Sequence, residues 1–147
     1  MRWLILLPGF LGVAAVLQGG LNRRVMGAWG LGQAALLNTL VLLAAVGALL
    51  LVVKLRPSAL PDLFQGRGGL GDLRWWWLLP GLCGFALVTC IPFAIPRLGA
   101  FPVFLGILAG QLAASLAWDA VMEGRPLSLS RIGGALLAVA AVALVRK

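Results

Sequence analysis

From Leu31 to Val53 the sequence runs through 23 residues without one charged side chain. As a helix such a segment rises about 35 Å, enough to cross a hydrocarbon layer of ~30 Å with some tilt. The rest of the chain repeats the pattern. Of its 147 residues, 62% are hydrophobic and 11% charged, whereas a soluble domain is roughly a quarter charged. A chain of this size cannot fold so much apolar surface into one core, so part of it must face lipid. The sequence is that of an integral membrane protein.

Five spans are expected: Trp3 to Leu21, Leu31 to Val53, Trp75 to Ile95, about Leu98 to Met122, and about Ser130 to Val145. The last is short for a crossing helix. Arg2 before the first span raises the reading of a cleaved signal peptide. The spans that follow favour a polytopic protein, and no clear small-x-small cleavage site stands near Ala14 and Ala15. Asn22 to Trp29 reads as a short connection and Lys54 to Arg74 as the one long loop. "PRLGA" reads as a tight link, and "MEGRPLSLS" as a loop in which Ser128 or Ser130 caps the last helix. Trp3, Trp29 and the run Trp75–Trp76–Trp77 stand at span ends, where amphipathic rings favour the membrane interface. No internal repeat is visible. The expected architecture is all-α, a single membrane domain over residues 1–147 with about five transmembrane helices.

The net charge of +8 does not mark a nucleic-acid binder. Lys and Arg sit singly or in pairs at the ends of apolar runs, without the basic stripe such a surface needs. The chain has no histidine. Cys83 and Cys90 lie seven residues apart, roughly 10 Å along a helix, too far for a disulfide. They read as small apolar residues, with no metal site and no cofactor expected. Without a nucleophile–base–orienter set or a Gly-rich phosphate loop, an enzyme is disfavoured.

Charge also bears on orientation. With five spans, one side of the membrane receives seven cations: Arg2, Lys54, Arg56, Arg67, Arg74, Arg125 and Arg131. The other receives five: Arg23, Arg24, Arg97, Arg146 and Lys147. Lys and Arg near span ends set topology, and this split gives only a weak instruction. A chain that inserts both ways can form an inverted two-fold dimer, the symmetry that many transporters build from inverted repeats. A bias set by other details is the competing reading.

The segment "GQLAASLAWD" (110–119) breaks the apolar pattern of the fourth span. At 100° per residue, Ser115, Trp118 and Asp119 fall at about 40°, −20° and 80° from Gln111, on one arc. Gly106, Gly110, Ala113, Ala114 and Ala117 occupy the neighbouring arc. Gly106 and Gly110 form a small-xxx-small pair that permits close helix approach. One stripe suits packing, and the polar one suits a cavity. The bland alternatives are that Ser115 bonds back to the Gln111 carbonyl, that Gln111 joins helices, and that Asp119 reaches headgroups or water.

Other polar groups join these. Gln18 and Asn22 stand one turn apart beside Gly19 and Gly20, and Asn38 and Thr39 lie inside the second span. Pro92 removes a donor in the third span and leaves the Val88 carbonyl without its helical partner, which suits either a structural kink or a transport hinge. By depth, one copy places its amides in one half of the bilayer, and an inverted copy would supply the other half. Arg97 and Asp119 of one chain lie about 33 Å apart along a helix. In an inverted dimer, Arg97 of one copy shares a face with Asp119 of the other.

"VLQGGLN" (16–22), "PRLGA" (96–100), "GQLAASLAWD" (110–119) and "LSLSRIGGALL" (127–137) together resemble, in order, the short YdcZ-type members of the drug/metabolite transporter superfamily. The resemblance spans nearly the whole chain. It implies a multi-pass protein of the bacterial inner membrane, about one half-transporter in size. Relatives occur as single genes, adjacent pairs and fused inverted halves, so an antiparallel homodimer or a pairing with a homologue is implied. Small multidrug-resistance members of the superfamily carry a membrane-embedded glutamate in their first helix. Here that span has no acid, and Asp119 is the carboxylate left for any coupling role. Trp118 beside it offers a ring face to a small cation.

The leading functional expectation is a transporter of a small polar or cationic metabolite or drug, working by alternating access in a dimer. Its substrate-binding residues are expected to be Gln18, Asn22, Asn38, Gln111, Ser115, Trp118 and Asp119. Arg97, Pro92, Gly106 and Gly110 are expected at the interprotomer contact or gate. The partners expected are the bilayer, a second copy or homologue and a small molecule, with no nucleic acid. A non-transporting accessory subunit is the alternative. A small dual-topology ion channel is the third reading, less suited to a wide polar stripe.

Overall fold

The computed structural model describes residues 6–66, 71 and 73–145. Trp3, where the first span is expected to begin, and Arg2, Arg67, Arg146 and Lys147 of the charge comparison lie outside the described residues. Five α-helices follow one another: α1 (Leu7–Trp29), α2 (Leu31–Leu55), α3 (Leu79–Leu98), α4 (Ala100–Val121) and α5 (Leu129–Val145). No strand occurs among the described residues. Among the described residues, three segments are long and apolar enough to cross a membrane: Leu31–Leu55, Trp75–Leu98 and Ala100–Val121. In α1 the apolar run is cut by Gln18, Asn22, Arg23 and Arg24, and α5 has only 17 residues.

The expected connection from Asn22 to Trp29 is absent, because α1 continues to Trp29. Arg, Val, Met and Ala all tolerate helix, and carrying it onward satisfies backbone groups that a loop in lipid would leave bare. The turn is a single residue. Gly30 takes φ 87° and ψ 162°. Its N–H donates to the Met26 carbonyl at 2.9 Å and its own carbonyl accepts from Ala34 N–H at 3.1 Å. Gly99 repeats the device between α3 and α4, with φ 85° and ψ 156°. Its N–H donates to Ile95 O at 2.9 Å, and its carbonyl accepts from Val103 N–H at 3.4 Å. Positive φ with ψ near 160° is a region that glycine alone enters freely and that costs other L-residues on the order of 1–3 kcal/mol, so glycine is the residue that makes a one-residue joint practicable. The sequence shows no repeat here because the likeness is one of backbone shape.

The described residues divide into two compact units. One is Leu21–Pro92; the other joins the residues up to Gly20 to those from Phe93 onward. The boundaries fall inside α1 and inside α3. In the first unit Ala34 and Ala35 are buried, just after the Gly30 joint. The long loop carries short 3-10 turns at Pro57–Ala59 and Asp62–Phe64, and Gln65 Nε2 donates to the Pro57 carbonyl at 2.8 Å. Trp75–Leu78 forms a further 3-10 turn that leads into α3. Trp29, Trp75, Trp76 and Trp77 are all exposed, as interface anchors would be.

In the second unit α4 packs against α5, and Ile95, Val103 and Ala109 are buried. Ser128, not Ser130, receives the first turn of α5: its Oγ accepts from Arg131 N–H at 3.4 Å and its carbonyl accepts from Ile132 N–H at 3.1 Å. Gly124, at φ 61°, turns the chain between α4 and α5. Arg125 N–H closes the turn by donating to the Asp119 carbonyl at 2.9 Å.

Candidate functional site

Within Leu21–Pro92, the amides of α1 and α2 meet. Asn22 Nδ2 donates to Asn38 Oδ1 at 3.4 Å, and both side chains are half-buried. Thr39, the next residue, spends its hydroxyl on its own helix, donating to the Ala35 carbonyl at 2.9 Å. Asn38 has a further interaction, and Gln18, one turn before Asn22, is exposed but not without a partner.

Thr89 on α3 likewise donates to Phe85 O at 2.8 Å, which removes a hydroxyl from the apolar surface without help from another element. α3 continues as helix through Pro92, whose side chain is fully buried.

In the second unit the α4 stripe is open. Gln111 is the twelfth of the 22 residues of α4, halfway through it. It is exposed and makes no hydrogen bond among the described residues. Ser115 donates to the Leu112 carbonyl at 2.9 Å, three residues back, where the sequence suggested the Gln111 carbonyl. Trp118 is 59% exposed. Gly110, Ala113, Ala114 and Ala117 are exposed on the adjacent arc, and a Cβ added at Gly110 would meet nothing within 4 Å. Gly106 differs from Gly110. It is half-buried and borders a groove between the end of α3, the start of α4 and the end of α5.

Asp119 is engaged. Its Oδ2 accepts from Arg131 Nη1 at 3.3 Å, across the connection between α4 and α5. Arg131, a topology charge in the sequence, thus has a second role as the partner of Asp119. The available signal was a cation on the first turn of α5 and an acid on the last turn of α4, joined by a short loop. Arg97 also finds its company locally: Nη1 donates to the Phe93 carbonyl at 2.6 Å, and the guanidinium lies 3.6 Å from the Phe93 ring centre. That i,i+4 cation–π contact was readable from spacing and was missed. Cys83 and Cys90 are free thiols.

Apolar helices of spanning length, ends marked by tryptophan and an amide exposed midway along α4 define a helical membrane protein with polar groups inside its spans. A family model described as "Putative inner membrane exporter, YdcZ" matches residues 3–144. The chain belongs to this YdcZ family of inner-membrane proteins. No solved structure matches it.

Proposed function

We propose that the chain is one half of a transporter for a small polar or cationic metabolite or drug, and that two copies, inserted in opposite directions, work by alternating access. The family's description as an exporter supports transport and argues against an enzyme. The observation that carries the finer reading is Gln111. A primary amide without a partner in hydrocarbon costs on the order of 4 kcal/mol or more. Midway along α4, Gln111 therefore calls for water, solute or a second polar surface. The exposed Gly110, Ala113, Ala114 and Ala117 beside it offer a second copy a close approach.

In this reading Gln111, with Trp118 on the same helix face, contacts the solute, Gln18, Asn22 and Asn38 are further amides offered to it, and an inverted copy supplies the same set in the other half of the bilayer. Ser115 contributes its lone pairs. Asp119 and Arg131 hold the end of the α4–α5 hairpin, and Arg97 of an inverted copy would compete with Arg131 for that carboxylate. Pro92, which removes a backbone donor from α3, is the hinge candidate in this reading.

Purified protein in liposomes, offered a panel of small metabolites, tests the reading. Saturable flux that Gln111→Leu reduces at least tenfold, with insertion and dimerisation intact, is the expected result. C-terminal reporters should appear on both sides of the membrane. An absence of flux and of ligand-induced stabilisation across the panel would favour an accessory subunit. Wild-type flux in Gln111→Leu would return the stripe to packing.

A further inference from the structure

At the Gly99 end of α3 and α4 lies a groove of about 760 Å³, bordered by Arg97, Leu98, Leu105, Gly106, Val142 and Val145 among others. All its lining belongs to one compact unit. Its mouth is at the ends of helices: Arg97 and Leu98 close α3, and Val145 closes α5. Its floor lies deeper. From Ala100 to Ile107, α4 descends about 10 Å into the span. Gly106 has no side chain to fill that floor, and a Cβ there would touch nothing within 4 Å.

The walls are apolar and the one charged group is Arg97. Its guanidinium rests on neutral partners only, the Phe93 carbonyl and ring. It makes no ion pair among the described residues, where the carboxylate of Asp119 belongs to Arg131. A cation at a helix end, beside a slot leading about 10 Å into hydrocarbon, is complementary to one amphiphile shape: a phosphate above and an acyl chain below.

We propose that this groove binds an anionic phospholipid, its phosphodiester on the free N–H groups of Arg97 and one acyl chain along Leu105, Gly106 and Val142. The site is separate from the Gln111 stripe; it uses the same Arg97 that an inverted copy would aim at Asp119, so bound lipid and that pairing exclude each other. An arginine fork presents paired donors to phosphate oxygens, while a zwitterionic headgroup carries its own cation and gains less.

The experiment is a thermal melt of the full chain in detergent, titrated with dioleoyl phosphatidylglycerol or dioleoyl phosphatidylcholine, with lipid retention read by native mass spectrometry. Phosphatidylglycerol should bind about tenfold more tightly than phosphatidylcholine, the discrimination expected of one charge-assisted contact. Arg97→Gln should lose that preference, and Arg97→Lys should keep part of it. Val142→Phe, which fills the groove without touching the charge, should weaken both lipids together. Arg74→Gln, at an exposed cation that does not line the groove, should change nothing.

Equal binding of the two lipids by the native chain would overturn the proposal. So would an unaltered preference in Arg97→Gln, or a loss in Arg74→Gln as large as that in Arg97→Gln. Inorganic phosphate stabilising as well as the lipid would mean that the acyl chain plays no part. Loss of the dimer in Val142→Phe with lipid binding unchanged would give the groove to a second copy.

Discussion

At the scale of single residues, the polar side chains of this membrane protein divide by whether their own helix satisfies them. Thr39, Thr89 and Ser115 donate to carbonyls three or four residues back, so each hydroxyl is neutralised where it stands. Gln111 is too long and carries too many donors for that solution, and it stands open on α4. Asp119 and Arg131 satisfy each other across the hairpin turn, with side chains 33% and 46% exposed. Such a partly exposed pair contributes about 0.2–1 kcal/mol. Asp119→Asn and Arg131→Gln should therefore each lower the melting temperature slightly, and the double variant should cost less than the sum. Full additivity in that cycle would show the two side chains to be energetically independent. The polar positions themselves were legible, since an amide in an apolar run is conspicuous. Which of them were already partnered was not, because Asp119 meets Arg131 only once the 122–128 turn brings the two helix ends together.

At the scale of elements, spans were easier to read than joints. Uncharged runs marked α2, α3 and α4 to within a few residues, because hydropathy follows lipid contact directly. The first connection was misplaced because Arg23 and Arg24 look like loop residues, yet nothing in their chemistry prevents helix, and α1 runs on to Trp29. Gly30 and Gly99 carry the sharp turns instead. Gly99→Ala should destabilise by about 1–3 kcal/mol through its positive φ alone, since an added Cβ would sit 3.5 Å from Pro102 Cδ, an ordinary contact. Gly47→Ala, in the interior of α2 with nothing within 4 Å, should instead stabilise by about 0.5–1 kcal/mol. Both changes can be read from melts in detergent. A neutral Gly99→Ala would mean that the joint relaxes to another turn.

At the scale of the whole molecule, the described residues bury few side chains. Ala34, Ala35, Pro92, Ile95, Val103 and Ala109 are the buried apolar ones, while many leucines, valines and phenylalanines lie exposed along the helices. Lipid accounts for the apolar exposure, because hydrocarbon is as good a neighbour for leucine as another leucine. It does not account for an exposed amide halfway along α4, and that residue motivates a second copy and a watery space between the two. The most direct measurement is thiol labelling. In a chain whose Cys83 and Cys90 are replaced by alanine, Gln111→Cys and Leu43→Cys would be exposed in turn to a membrane-impermeant maleimide. Maleimides react with thiolates, which form in water and not in hydrocarbon. We expect rapid labelling at position 111 and none at position 43, on the apolar surface of α2. Equal silence at both positions would put Gln111 in a dry environment and contradict the account.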